Sequence, residues 1–110
     1  MTKTSPAAEQ LAAQAGAAAK LLRALSHEAR LMVLCQLAEG ERSAGELGEG
    51  SGLSQSALSQ HLAKLREEKL VATRRDGQTI FYRLADPKAA RLIETLAALY
   101  CPPRPRRKQS

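Results

Sequence analysis

Apolar residues recur at Leu11, Ala15, Ala18, Leu22 and Leu25, steps of three and four that hold them on one stripe, so the spacing predicts a first helix over Pro6–Leu25. Ser26 is placed to cap a second helix by accepting from freed backbone N–H groups. Leu31, Leu34, Cys35 and Ala38 share one face of it until Gly40 ends it. Ser43, followed three residues later by Glu46, forms a capping box for a third helix of about two turns, broken by Gly48, Gly50 and Gly52. Ser54 caps a fourth helix in which Leu58, Leu62 and Leu65 face the core and which ends near Lys69. Leu70–Arg75 and Thr79–Leu84 then read as short strands joined through Asp76-Gly77, a dipeptide suited to a tight hairpin. Asp86 as N-cap and Pro87 as first helical residue open a fifth helix that runs to Cys101 and stops at Pro102-Pro103.

This pattern gives a fold that is mainly α with a small β-hairpin. It forms one domain over residues 1–101, followed at 102–110 by a basic Pro/Arg tail whose composition reads as disordered. Around Ile93 the apolar residues of the fifth helix sweep about 200°, against roughly 100° for a helix facing one core, so one of its faces is expected to meet a second subunit. The length of 110 residues points the same way. A domain this short buries only about two-thirds of its unfolded surface, and a homodimer supplies more. No apolar run approaches the roughly 20 residues of a membrane helix. Glu9, Gln10 and Gln14 interrupt the Ala-rich start, leaving no compact signal-peptide core after Lys3. A cytoplasmic protein without a membrane partner is expected.

Seventeen Lys and Arg against eleven Asp and Glu give a net charge of +6, and the excess is one-sided. Residues 1–63 carry five basic and six acidic side chains, whereas residues 64–110 carry twelve and five. Lys64, Arg66, Lys69, Arg74, Arg75 and Arg83 crowd into twenty residues, a density that suits a polyanion, although a solvated face shows the same charge. The order of elements decides between them. A short helix, a turn, a longer amphipathic helix and a basic hairpin follow one another as in a winged helix-turn-helix.

On the fourth helix, the face opposite the leucines carries Ser56, Ser59, Gln60, Ala63 and Lys64, with Gln55 at its N-terminal end. Short hydroxyl and amide side chains allow close approach to a major groove, and Gln offers the paired donor and acceptor that reads adenine edges. An ordinary solvent face scatters Glu and Lys; here no Glu appears before Glu67. Lys64 and Arg66 read as phosphate clamps, and Arg74, Arg75 and Gln78 as hairpin contacts to phosphates or a minor groove. A charged edge that deters aggregation would also carry Arg. His61 falls roughly 60° from Leu58, at the rim of the apolar face, where a structural role competes with a DNA-facing one. His27, without an obvious ligand companion, reads as structural.

Leu25-Ser26-His27-Glu28-Ala29-Arg30-Leu31, Ser43-Ala44-Gly45-Glu46-Leu47, Leu53-Ser54-Gln55-Ser56-Ala57-Leu58-Ser59-Gln60-His61-Leu62-Ala63-Lys64-Leu65 and Arg75-Asp76-Gly77-Gln78-Thr79-Ile80-Phe81-Tyr82-Arg83-Leu84 resemble ArsR-type bacterial repressors. The likeness covers about residues 20–100. It implies a homodimer joined through the first and fifth helices, bound to inverted-repeat operator DNA and released by an inducer. It also implies that Gln55, Ser56, Ser59 and Gln60 face bases, with His61 nearby. Metal-binding members carry a Cys-x-Cys motif on the third helix or His and carboxylate pairs on the fifth. Here the third helix reads Ser43-Ala44-Gly45-Glu46-Leu47-Gly48 and the fifth has no His, so neither a metal nor a cofactor is expected.

Cys35 and Cys101, 66 residues apart, resemble the pair in the persulfide-sensing SqrR/BigR subgroup. That resemblance implies that the thiols become linked through a short chain of sulfur atoms and that DNA is released by reactive sulfur species. A plain disulfide needs Cα atoms within about 7 Å, and each inserted sulfur lengthens the bridge by roughly 2 Å. Oxidants or a thiophilic metal ion acting on the same thiols form the alternative, and inert packing is the ordinary role of a Cys on an apolar face. An enzyme or redox carrier is disfavoured, because Cys-x-x-Cys and any acid–base constellation are missing. The Gly48/Gly50/Gly52 run precedes no phosphate-binding Lys and reads as a turn. A winged helix used only for protein contacts is the remaining reading.

Overall fold

The computed structural model describes residues 5–100. The chain runs α1 (Pro6–Ala13), α2 (Ala15–Leu25), α3 (Glu28–Ala38), β1 (Arg42–Ser43), α4 (Ala44–Ser51), α5 (Gln55–Glu67), β2 (Val71–Asp76), β3 (Thr79–Leu84) and α6 (Pro87–Tyr100). Cys101 and the tail 102–110 lie outside the described residues. No described helix is long and apolar enough to cross a membrane.

The single first helix expected over Pro6–Leu25 is two helices. It breaks at Gln14 (φ −105°, ψ 8°), whose N–H is shared between the carbonyls of Gln10 and Leu11 at 3.1 and 3.0 Å. Gly16 lowers helix propensity just beyond the break, and residues 5–17 are exposed throughout, so no packing enforces continuity there. Most of the stripe is turned away from this chain's core. Leu25 is buried, but Leu11 and Leu22 stand 62% and 56% exposed.

Ser26 does not cap α3. It closes α2 instead, its Oγ donating to the Arg23 carbonyl at 2.8 Å, and the N-cap is His27, whose Nδ1 accepts from the Ala29 N–H at 3.1 Å. The inward face of α3 is Val33, Leu34 and Leu37, with Leu31 and Cys35 half-buried at its edge and Ala38 exposed. The helix thus sits rotated from the expected face because Val33 and Leu37 both meet the core.

The capping box on α4 forms as expected: Ser43 Oγ accepts from the Glu46 N–H at 3.1 Å, and Glu46 Oε1 accepts from the Ser43 N–H at 2.8 Å. The helix is eight residues long but continues through Gly48 and Gly50, ending where Gly52 takes a left-handed φ of 72°. Of Gly48 and Gly50, the latter is the point of close approach. A Cβ on Gly48 would stand 3.5 Å from Leu58, and one on Gly50 would collide with the Gln36 side-chain amide.

The hairpin register pairs Val71 with Leu84 and Asp76 with Thr79, so the two-residue loop is Gly77-Gln78, one position beyond the expected Asp76-Gly77. Gly77 (φ 65°) alone supplies the positive φ, the pattern of a type II′ turn. A third strand, too short for any periodicity, completes the sheet: β1 lies against β3, with Arg42 opposite Tyr82 and Ser43 opposite Phe81. Leu34, Leu47, Leu65, Ile93 and Val33 are fully buried, so one core unites α3, α4, α5 and α6.

The end of α5 carries a local strain. Lys69 adopts φ 64°, with its N–H on the Arg66 carbonyl at 3.0 Å and the Leu70 N–H on the Leu65 carbonyl at 2.9 Å, the Schellman arrangement. Lys pays the left-handed penalty of roughly 1–2 kcal/mol that Gly avoids. Lys69→Gly is therefore expected to raise stability by about 1 kcal/mol, less what glycine's freedom returns to the unfolded chain. A urea unfolding midpoint that falls would contradict this.

Candidate nucleic-acid interface

Ser54 starts α5 by accepting the Ala57 N–H on its Oγ at 3.2 Å, a cap of about 1 kcal/mol. Leu58, Leu62 and Leu65 are buried, while Gln55, Ser56, Ser59, Gln60, Ala63 and Lys64 are all exposed. The leucines fix the helix axis and its rotation, and that rotation presents the amide and hydroxyl side outward. The first turn of α5 holds no acidic residue, so the positive end of its dipole is left uncompensated and suits a phosphate. Lys64 sits on the flank, with Nζ 3.8 Å from Glu67 and 3.9 Å from Glu68, long surface pairs of little energetic weight.

His61 turns away from the glutamines. It is half-buried, and its ring lies 4.6 Å from that of His27, tilted by 56°. Burial, then the neighbouring His27 and Arg30, push its imidazole below the ordinary value of 6.5. The fold thus prefers neutral His61. As pH falls through the ordinary imidazole range the unfolded chain binds the proton more readily, and stability declines with acidification. His61→Gln is expected to flatten the acid-side loss in urea midpoint; an undiminished loss would place its origin elsewhere.

The two hairpin arginines have different environments. Arg74 Nε and Nη2 donate to Glu41 at 2.9 and 2.7 Å, and its guanidinium lies 4.5 Å above the Phe81 ring. The Arg74 hydrogen bonds hold the Glu41 carboxyl below its usual range, with the charges of Arg74 and Arg83 assisting. Arg75, the next residue and so on the other face of β2, makes no ion pair among the described residues. The structure therefore commits Arg74 to the wing and leaves Arg75 available to solvent. Glu41 and Arg74 are 33 residues apart, and no local pattern in the sequence pairs them.

Of the two candidate sensing thiols, Cys35 is half-buried on α3 against the core, and Cys101 lies outside the described residues. Among the described residues no group of three or more His, Cys, Asp or Glu is disposed to hold a metal ion.

Residues 27–73 match the family model for the bacterial regulatory proteins of the arsR family. The chain is 52% identical over 98 residues to the biofilm growth-associated repressor of Agrobacterium fabrum, covering 89% of this chain and 81% of that protein. Among solved structures, the transcriptional repressor BigR from Xylella fastidiosa superposes with a TM-score of 0.81 at 46% identity, over 86% of this chain and 97% of that one. The homodimeric winged helix-turn-helix DNA-binding domain of a possible ArsR-family regulator from Mycobacterium bovis gives 0.67 at 30% identity, over 90% and 89%. The six helices and three-stranded sheet are accordingly a winged helix-turn-helix, with α4 and α5 as its helix pair and β2–β3 as its wing. The chain belongs to the arsR family of DNA-binding transcriptional regulators.

Proposed function

We propose that the protein is a homodimeric repressor that reads an inverted-repeat operator with α5 and is released when Cys35 and Cys101 react with reactive sulfur. The observation that carries the DNA reading is the exposed Gln55, Ser56, Ser59 and Gln60 face on a helix locked by three buried leucines. Lys64 and Arg75 supply phosphate contacts, with Arg74 steadied on Glu41 beside them. A second copy accounts for apolar side chains that the chain leaves uncovered on α1, α2 and α6: Leu11, Leu22, Leu99 (69% exposed) and Tyr100 (80%). In such a dimer the two α5 helices enter successive major grooves about 34 Å apart. With DNA as its partner, the protein acts in the cytoplasm.

The sulfur reading is supported by α3, which bears Cys35 and packs against α4, α5 and α6. The chain reaches Cys101 directly after α6. An inorganic polysulfide would supply the inserted sulfur and accept the electrons from the two thiols, departing as hydrogen sulfide. The bridge then favours a dimer geometry that no longer fits both half-sites, since an inducer acts only by its different affinity for two states.

The test selects a duplex from a random-sequence pool and follows its binding against salt. An inverted repeat bound with a steep salt slope is expected; a protein that retains no duplex, or binds without salt dependence, overturns the DNA reading. Cys35→Ser and Cys101→Ser are each expected to stay on the operator after polysulfide treatment. Release from either variant would overturn the sulfur reading alone. Mass spectrometry after polysulfide, peroxide or thiophilic metal ions separates sulfur insertion from the oxidant and metal alternatives.

A further inference from the structure

We infer that the hollow between α2, α3 and α5 is a binding site for a phosphate-type oxyanion, a contact surface separate from the base-reading face and the wing. Lys20 and Arg23 from α2 and Arg30 from α3 line an open cavity of about 590 Å³, together with Lys64, Glu67 and Glu68 of α5. The two carboxylates lie against Lys64. Among the described residues Lys20, Arg23 and Arg30 make no ion pair, so the rim carries four cations against two carboxylates and three of the cations are not engaged by them. Arg30 carries a second mark. Its Nη1 donates to the Ala24 carbonyl at 3.4 Å, which holds the guanidinium at the wall, while its Nε is shielded from solvent and meets no acceptor. Donors and positive charge therefore exceed the oxygens the protein supplies here.

A tetrahedral dianion fits this imbalance better than a carboxylate. It offers several acceptor oxygens in different directions, matches the fork of Arg23 and Arg30, and carries two charges against the rim's net +2. The same chemistry comes from a DNA backbone or from free phosphate. The backbone is favoured by position, because Lys64 borders both the hollow and the exposed face of α5, so a strand flanking the read groove passes along this rim. That assignment of occupant rests on the DNA reading above; the anion site itself does not.

The experiment uses the full chain and the Lys20→Gln/Arg23→Gln variant, whose replaced residues are both exposed. One arm titrates inorganic phosphate against chloride at matched ionic strength, following the thermal midpoint and, in the unmodified chain, the arginine Nε–H resonances. The other measures the salt slope for a duplex of arbitrary sequence long enough for both half-sites. The expected result is a phosphate-specific rise in midpoint that is lost in the variant, and a shifted Arg30 Nε–H signal in the unmodified chain. The duplex slope is expected to fall by about 0.9 for each contact removed. A phosphate response with an unchanged slope keeps the site and assigns it to free phosphate. A lower slope without a phosphate response assigns it to the duplex alone. Phosphate indistinguishable from chloride, together with an unchanged slope, overturns the proposal. Should the unmodified chain bind no duplex, the DNA reading fails and the phosphate arm decides the site by itself. Should the variant not fold, the Arg30 signal of the unmodified chain decides it.

Discussion

Gln60→Ala should sharply reduce discrimination between the operator and a scrambled duplex while leaving the weaker, sequence-independent binding intact. A Gln that pairs with both edge atoms of adenine contributes about 1–3 kcal/mol of discrimination. In a dimer the substitution removes that contact from both half-sites, so the loss is about 2–6 kcal/mol, or about thirtyfold and upward in affinity for the selected duplex. Gln55→Ala is expected to behave alike, being equally exposed at the start of α5. Neither residue is charged, so the salt slope stays unchanged, in contrast to Arg75→Ala, which lowers it. Titrating the selected and scrambled duplexes at one salt concentration checks this. Equal weakening on both duplexes would show that the side chain supports the helix rather than reading a base.

Leu65→Ala should be the most damaging change to the fold. Leu65 is wholly buried, and it lies opposite the exposed face on the helix that carries the site. Removing a buried leucine side chain costs about 2–5 kcal/mol. A domain of this kind has only about 5–15 kcal/mol in total. The residue also precedes the Schellman turn, where buried Leu70 donates its N–H to the Leu65 carbonyl. A large fall in urea midpoint is expected, with loss of operator binding following from it. Leu11→Ala is the counterpart: at 62% exposure it should hardly change the folding of one chain, but it should weaken dimerisation measured by light scattering. A small effect at Leu65 would show that the core relaxes around the gap.

What the sequence revealed, and what it hid, follows from the range of the interactions. Caps are local, so Ser43 with Glu46, Ser54 and Asp86-Pro87 could be read directly, as could the hairpin apart from a one-residue shift of its turn, and the leucine spacing of α5 set its exposed face. Ser26 and His27 were harder. Either can cap a helix, and the choice depends on where α2 ends, which the Ser26–Arg23 hydrogen bond decides. Gly48 and Gly50 look like helix breakers by propensity, yet the helix runs through both, and Gly50 sits where the Gln36 side chain presses closest, a fact of packing. The long-range partners of the site were invisible: Glu41 on Arg74, and His27 against His61. The stripe on the first helical segment was legible as a stripe but not as one turned away from the chain's own core, because periodicity says which residues go together and not what they face.

Ser43 belongs to two structures at once. Its backbone lies opposite Phe81 in the sheet, and its hydroxyl begins α4. The hairpin and the helix pair therefore share an anchor, reinforced by the carboxylate clamp from Glu41 to Arg74 on β2, the far strand of the sheet. That joint ties the wing to α4 through both backbone pairing and a helix cap. In the proposed dimer, an inducer would then act on how far apart, or at what angle, two such units are held.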